Sequence, residues 1–128
     1  MNEKLGNQEW ILVVEDDRDI SELLESLLIA DGYNVVVAND GEEGERQYKS
    51  HSPRFDLVLS DLGLPKIGGV ELYHRLRSHD PSIKVIASSG FGHESVVKQL
   101  ITSGVKEFIP KPYKPQDLLR TIRKVLDN

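Results

Sequence analysis

With 128 residues, of which 38% are hydrophobic, the chain is long enough for one domain with a single packed core. Its formal net charge of −5 and pI near 5.3 argue against direct binding to nucleic acid, because that function needs clustered Lys and Arg. The sequence contains no cysteine, which excludes disulfides, thiolate zinc sites and a cysteine nucleophile.

The sequence shows no sign of export or of membrane insertion. Residues 1–9 contain no apolar signal-peptide core, and no apolar run approaches the roughly 20 residues that a membrane span needs. We therefore expect a cytoplasmic protein without membrane contact. In this interpretation residues 1–9 are an N-terminal extension and residues 10–127 form the domain.

Apolar runs of strand type alternate along the chain with segments of helical periodicity. In chain order, the predicted strands are Ile11–Val14, Val35–Val37, Leu57–Leu59, Ile83–Ala87 and Lys106–Ile109. The helices predicted to follow each strand are Ile20–Leu28, Glu42–Ser50, Val70–Leu76, Val96–Ile101 and Leu118–Leu126. The breaks that end the first four helices lie at Gly32, Ser52–Pro53, Asp80–Pro81 and Gly104.

Five such strand–helix units predict an α/β fold. Parallel strands need crossover connections, which the intervening helices supply. A strand that is apolar throughout, such as Val35–Val37, is typical of a sheet that is buried on both faces. The chain is too short for a closed (β/α)8 barrel. The sequence therefore predicts a parallel five-stranded sheet between two layers of helices.

Reactive residues follow four of the predicted strands. They are the consecutive acids Glu15, Asp16 and Asp17, the single acid Asp61, the hydroxyl pair Ser88 and Ser89, and Lys111. Ligands of open α/β sheets bind outside the carboxyl ends of the strands, so these residues are expected at one edge. The consecutive acids would repel one another unless a cation neutralises them. Acids and a lysine together suggest a divalent metal and a phosphate.

Each of these residues also has a purely structural interpretation. Asp17 could cap the first helix, Asp61 could cap a loop, and Lys111 could be an ordinary solvated lysine. Ser88 and Ser89 could be turn residues. The joint pattern favours a site, because independent caps have no reason to converge on a set suited to metal and phosphate.

Together the motifs resemble the receiver domains of two-component response regulators (CheY-like), over about Trp10–Leu126. The resemblance depends on the pair Asp16–Asp17, on Asp61 before Leu64–Pro65 and Gly69, on Ser89–Gly90, and on Lys111–Pro112 before Tyr113. It implies a flavodoxin-like (βα)5 sandwich whose parallel strands have the order 2-1-3-4-5.

The resemblance also implies a phosphoryl-accepting function. Asp61 would take a phosphoryl group from a partner's phosphohistidine, and Lys111 and Ser89 would bind the phosphoryl oxygens. The cofactor would be Mg²⁺, with the ligands Asp16, Asp17, Asp61 and the carbonyl of Gly63. Ser89 and Phe108 would switch an output surface on the fourth and fifth βα units, so the module would catalyse only its own phosphorylation and dephosphorylation. Ser88 is the alternative to Ser89, and Phe108 could instead be plain core.

The partners implied are a sensor histidine kinase or a histidine phosphotransfer domain, an effector protein, and a second copy of the chain on activation. The phospho-donor histidine belongs on the partner, since the chain's own histidines show no metal-ligand spacing and are expected at the surface; they are His51, His74, His79 and His93. A stand-alone receiver and the receiver of a hybrid histidine kinase both fit the sequence.

Four features depart from the commonest family pattern or constrain the chain locally. Gly68 stands where an Asp is usual, so the loop after Asp61 should lose a side-chain cap and gain backbone freedom. Ser89 stands where threonine is more frequent. Pro110 has no N–H, which predicts that the ladder of the fifth strand ends by Ile109, and the Lys111–Pro112 bond is expected to be cis by resemblance.

Two other classes use related residues. A haloacid-dehalogenase-like phosphatase also combines an Asp nucleophile, Mg²⁺ and a lysine on a parallel sheet, but it expects a second Asp at the position of Gly63. An adaptor of the receiver fold that works without phosphorylation should lack Asp61, Lys111 or the acidic pair, and none of these is missing.

Overall fold

The computed structural model describes residues 8–50, 54–64, 66–90 and 94–128. Its strands are β1 Trp10–Val14, β2 Asn34–Ala38, β3 Leu57–Asp61, β4 Val85–Ser89 and β5 Glu107–Pro110. Its helices are α1 Arg18–Ala30, α2 Gly41–Lys49, α3 Gly69–His79, α4 Glu94–Ser103 and α5 Pro115–Asp127. Outside the described residues lie residues 1–7 of the predicted extension, His51, the Ser52–Pro53 break, Pro65 and His93.

The strands form one parallel sheet of order β2-β1-β3-β4-β5. This topology confirms the predicted flavodoxin-like fold. The order reverses after β1, because β2 lies on one side of β1 and β3 on the other. The carboxyl ends of β1 and β3 therefore flank a topological switch point, where open α/β sheets form their ligand sites.

Two cores lie on the two faces of the sheet. One core packs alternate strand residues such as Ile11 and Val13 against α1 and α5. The other packs Leu12 and Val14 against α2, α3 and α4. Each residue of β1 thus faces one core or the other, which is why this strand is apolar throughout. None of the helices within the described ranges is long and apolar enough to cross a membrane.

Most predicted strand boundaries differ from the structure by one or two residues, and two of these differences have a visible cause. β4 begins at Val85 rather than at Ile83, because Asp80 forms a turn in which its carbonyl accepts from the Ile83 N–H at 3.1 Å. β5 continues to Pro110, which pairs with Ser89, rather than ending at Ile109. The ladder passes the proline because the next residue, Lys111, donates its N–H to the Ser89 carbonyl at 2.9 Å.

Candidate functional site

The sheet places two carboxylates side by side at its carboxyl edge. Asp61 is the last residue of β3 and Glu15 directly follows β1. Val14 pairs with Ser60 in the parallel register, so Glu15 and Asp61 are the next residues on their strands. By the alternation of side chains along a strand, both residues are on the face that packs against α1 and α5. Both are buried, with an exposed fraction of 1% for Glu15 and 7% for Asp61.

Asp16 completes a group of three acids at this edge. One carboxylate oxygen from each of Glu15, Asp16 and Asp61 lies within 4.8 Å of the others. Asp16 is exposed, so the group opens to solvent on its side while the other two acids line the interior. This combination of buried and accessible oxygens suits a hard divalent cation that retains several waters.

Lys111 brings the opposite charge into the group. Its Nζ atom lies 2.8 Å from Glu15 Oε1 and 3.3 Å from Asp61 Oδ1. Burial by itself would lower the pKa of Lys111, but the close ion pair with Glu15 and the charge of Asp61 outweigh it and hold that pKa above its ordinary value. Lys111 is therefore a fixed cation between two carboxylates.

Glu15 is held in the interior at an energetic cost. Burial raises the pKa of Glu15, against the opposing effects of Lys111 and of the Asp17 N–H, which donates to Oε2 at 3.1 Å. Its other oxygen, Oε1, is buried and has the ion pair with Lys111 but no well-directed hydrogen bond within the described residues. Three carboxylates face one ammonium here, so the charge left over fits a divalent cation.

The structure does not bring Asp17 into this group. Its side chain accepts the N–H of Ile20 at 3.2 Å and caps α1, and its carboxylate is exposed. The acids that approach Asp61 are therefore Glu15 and Asp16 rather than Asp16 and Asp17. The signal for Glu15 was present in the sequence: Ile11, Val13 and Glu15 alternate onto one face, as do Leu57, Leu59 and Asp61.

The two serines of β4 point to opposite faces of the sheet. Ser88 pairs with Asp61 and shares its face, and its Oγ accepts the Tyr113 hydroxyl at 2.6 Å. Ser89 lies on the other face, and its hydroxyl donates to the Gly90 carbonyl at 3.1 Å. Phe108, which pairs with Ala87, shares this second face and packs partly buried against the core under α2, α3 and α4.

The loop after Asp61 approaches the site through its glycines. A Cβ on Gly63 would lie 3.6 Å from Asp61 Oδ2, so glycine keeps this side of the carboxylate free of a side chain. A Cβ on Gly69 would collide with the Asp61 carbonyl. Gly68 is the N-cap residue before α3 and supplies no side-chain cap, as predicted, and Lys66 has a φ of 65°.

The remaining predictions concern one peptide bond and the histidines. The Lys111–Pro112 peptide is cis, as expected. His74 and His79 are exposed, as predicted for surface histidines.

Comparison with known proteins agrees with this geometry. The family model of the response regulator receiver domain matches residues 11–123. The chemotaxis protein CheY of Treponema pallidum is 35% identical over 117 residues, which are 91% of this chain and 81% of that protein. The CAI-1 autoinducer sensor kinase/phosphatase CqsS of Vibrio cholerae is 35% identical over 123 residues, 94% of this chain but 18% of that protein.

A solved structure shows the same fold. The CheX–CheY–BeF3–Mg²⁺ complex of Borrelia burgdorferi contains a chain that matches with a TM-score of 0.86 and 31% identity, over 91% of this chain and 88% of that one. The parallel sheet and the acidic edge of the present protein are those of a signalling module of the two-component type. The chain belongs to the response regulator receiver domain family. The alternative of a haloacid-dehalogenase-like phosphatase has no support from these matches.

Proposed function

We propose that this receiver accepts a phosphoryl group on Asp61 from a phosphohistidine of a partner protein. The observation that carries the proposal is the position of Lys111, whose ammonium joins Asp61 to Glu15 inside a group of three acids. A carboxylate can act as a nucleophile toward phosphorus when positioning and charge neutralisation are supplied. This edge of the sheet supplies both.

The transfer exchanges one bond to phosphorus for another. A carboxylate oxygen of Asp61 forms the new O–P bond as the N–P bond of the donor breaks, and the bonding electrons return to the imidazole nitrogen. Lys111 pairs with Oδ1, while Oδ2 borders Gly63, where no side chain obstructs the incoming group. Lys111 then remains close enough to bind the transferred oxygens.

Receiver domains bind Mg²⁺ at an acidic pocket, and the residues present here fit that ion. We propose Glu15, Asp16 and Asp61 as its carboxylate ligands, with the Gly63 carbonyl as a further oxygen. Oxygen ligands of this type are those that Mg²⁺ prefers. When bound, Mg²⁺ supplies positive charge that offsets the charge of the phosphoryl oxygens.

We further propose Ser89 as the hydroxyl that binds the phosphoryl group and Phe108 as the residue that responds. The two share the face of the sheet that α4 covers, two strand positions apart in the pairing of β4 with β5. If the Ser89 hydroxyl moved toward a phosphoryl group on Asp61, the space beside Phe108 would change. The population of surface conformations on the fourth and fifth βα units would then shift.

The partners follow from the chemistry. The donor is a sensor histidine kinase or a histidine phosphotransfer domain in the cytoplasm, and the switched surface is available to an effector or to a second copy of the chain. The receiver itself would catalyse only the gain and loss of its own phosphoryl group.

Phosphorylation by a small donor tests the proposal. Incubation with acetyl phosphate and Mg²⁺ should add one phosphoryl group, visible by intact-mass spectrometry, and Asp61→Asn should prevent it. Asp56→Asn, which removes an acid at the other end of β3, is the matched control and should label normally. Labelling that persists in Asp61→Asn would overturn the proposal.

A further inference from the structure

Tyr113 and Ser88 form a hydroxyl–hydroxyl hydrogen bond beside the site. The Tyr113 hydroxyl donates to Ser88 Oγ at 2.6 Å, and Ser88 is 1% exposed. Because Ser88 pairs with Asp61 in parallel register, both side chains project from the same face of the sheet. The bond therefore lies on the face that carries Asp61 and Glu15.

This bond reaches the segment that carries the site's lysine. Tyr113 lies two residues after Lys111, and the Lys111 N–H donates to the Ser89 carbonyl at 2.9 Å. Residues 111–113 are thus attached to two consecutive residues of β4, by the backbone at one end and by a side chain at the other. Two such attachments restrain the backbone from which the Lys111 side chain projects.

The surroundings make the second attachment important. β5 lies at the edge of the sheet, so this segment has a strand neighbour on one side alone. α5 begins at Pro115 without a side-chain cap from Lys114. The Tyr113 ring packs against the core under α1 and α5, and its hydroxyl connects that packing to β4.

We propose that the Tyr113–Ser88 hydrogen bond positions the Lys111 ammonium against Asp61, which makes Tyr113 and Ser88 positioning residues for phosphoryl transfer. The inference rests on the proposed function of Asp61. Neither hydroxyl touches the transferred group, and both act through Lys111.

The chemistry of the pair is suited to this role. Burial raises the pKa of Tyr113 to about 12, so the phenol keeps its proton at neutral pH and can donate. The bond also separates the two serines by function. Ser88 supports the lysine from the α1 and α5 face, while Ser89 remains on the face of Phe108.

Removal of single hydroxyl groups tests the inference. Tyr113→Phe and Ser88→Ala should each slow phosphorylation by acetyl phosphate at saturating Mg²⁺ about 3- to 10-fold, and the double variant should be no slower than either. Tyr48→Phe is the control, because it removes a comparable phenol bond, 2.7 Å to Asp80, at the opposite end of the sheet. Its rate should equal that of the unaltered protein.

Variants that lack Lys111 test whether the Tyr113–Ser88 bond acts through this lysine. In Lys111→Ala, adding Tyr113→Phe should change the phosphorylation rate no further. An equal loss in that background, or a normal rate in Tyr113→Phe, would overturn the inference.

A spectroscopic readout separates this inference from the function on which it rests. In the unphosphorylated protein, the NMR signal of the Lys111 ammonium should shift or broaden in Tyr113→Phe and stay unchanged in Tyr48→Phe. If Asp61 accepted no phosphoryl group in the unaltered protein, the proposed function would fail. The ammonium signal would still show whether the Tyr113–Ser88 bond positions Lys111. An unchanged ammonium signal in Tyr113→Phe would contradict the inference itself.

Discussion

Glu15 Oε1 and Lys111 Nζ are 2.8 Å apart, closer than the lysine is to Asp61, and the Glu15 side chain is the more buried of the two carboxylates. The lysine therefore compensates an acid that the interior would otherwise disfavour. This pair connects the residues that follow the first and the fifth strands, at the carboxyl edge of the sheet. It also leaves the charge of the other acids for a metal and a phosphoryl group.

The neighbouring acids Asp16 and Asp17 should differ in their effect on Mg²⁺. Asp16→Asn removes a carboxylate from the acidic group and should weaken Mg²⁺ binding by tenfold or more, about 1.4 kcal/mol. Asp17→Asn alters the formal charge equally but keeps a side chain that can cap α1, so its affinity should stay within about twofold. Isothermal titration calorimetry of both variants measures this, and equal losses would place Asp17 among the ligands.

Lys111 should stabilise the metal-free protein. Lys111→Met keeps the length of the side chain but leaves Glu15 and Asp61 without their cation, which should lower the free energy of unfolding by about 2 kcal/mol, less than for a fully buried pair because the lysine is partly exposed. Added Mg²⁺ should restore part of this loss through preferential binding to the folded state. Urea unfolding of both proteins with and without Mg²⁺ measures these changes. If the variant and the unaltered protein were equally stable in the absence of Mg²⁺, the stabilising role of Lys111 would be refuted.

Much of the fold could be predicted because its determinants are local. Alternating apolar runs and helical stripes set the order of elements, and strands buried on both faces indicated a parallel sheet. Two of the offsets have causes that hydrophobic periodicity does not record, one local and one tertiary. The turn at Asp80 delays β4, and the Lys111 N–H carries the β5 ladder past Pro110, a contact with another strand that periodicity does not contain.

The site was predicted in position but not in every residue. Acidity and adjacency do not choose among the consecutive acids Glu15, Asp16 and Asp17, whereas the property that selects Glu15 is the face of the strand on which it lies. The same reasoning would have placed Ser88 beside Asp61. The bond from Tyr113 to Ser88 joins residues that are 25 positions apart, and only the packed structure reveals it.

The adjacent glycines 68 and 69 should respond oppositely to alanine. Gly68 has an ordinary backbone conformation and open space around a Cβ, so Gly68→Ala should change the free energy of unfolding by less than about 1 kcal/mol. In Gly69→Ala the new Cβ would lie 2.6 Å from the Leu62 Cα and push the loop off Asp61, costing about 2 kcal/mol or more and slowing phosphorylation. Thermal unfolding and acetyl phosphate labelling compare the two. Equal tolerance would show that the close approach is not required.

Asp80 should contribute stability that depends on pH. The Tyr48 hydroxyl donates to Asp80 Oδ2 at 2.7 Å and, together with Ser82, holds the pKa of Asp80 below its ordinary value, although burial opposes this. A depressed carboxyl pKa stabilises the fold above the unfolded value of 3.8, and the contribution is lost as pH falls through the folded pKa. Asp80→Asn should therefore cost about 1 kcal/mol at pH 7 and progressively less below pH 3.8. Urea midpoints over this range measure the difference, and a cost independent of pH would contradict the argument.

The central claim is that Asp61 carries the phosphoryl group, and chemical trapping tests it most directly. Borohydride reduces an aspartyl phosphate to homoserine, which peptide mass spectrometry locates after treatment with acetyl phosphate and Mg²⁺. The account predicts homoserine at position 61 alone, with none formed when Mg²⁺ is chelated. Homoserine at Asp16, or a stable phosphoryl group on Ser88 or Ser89 with position 61 unmodified, would contradict it.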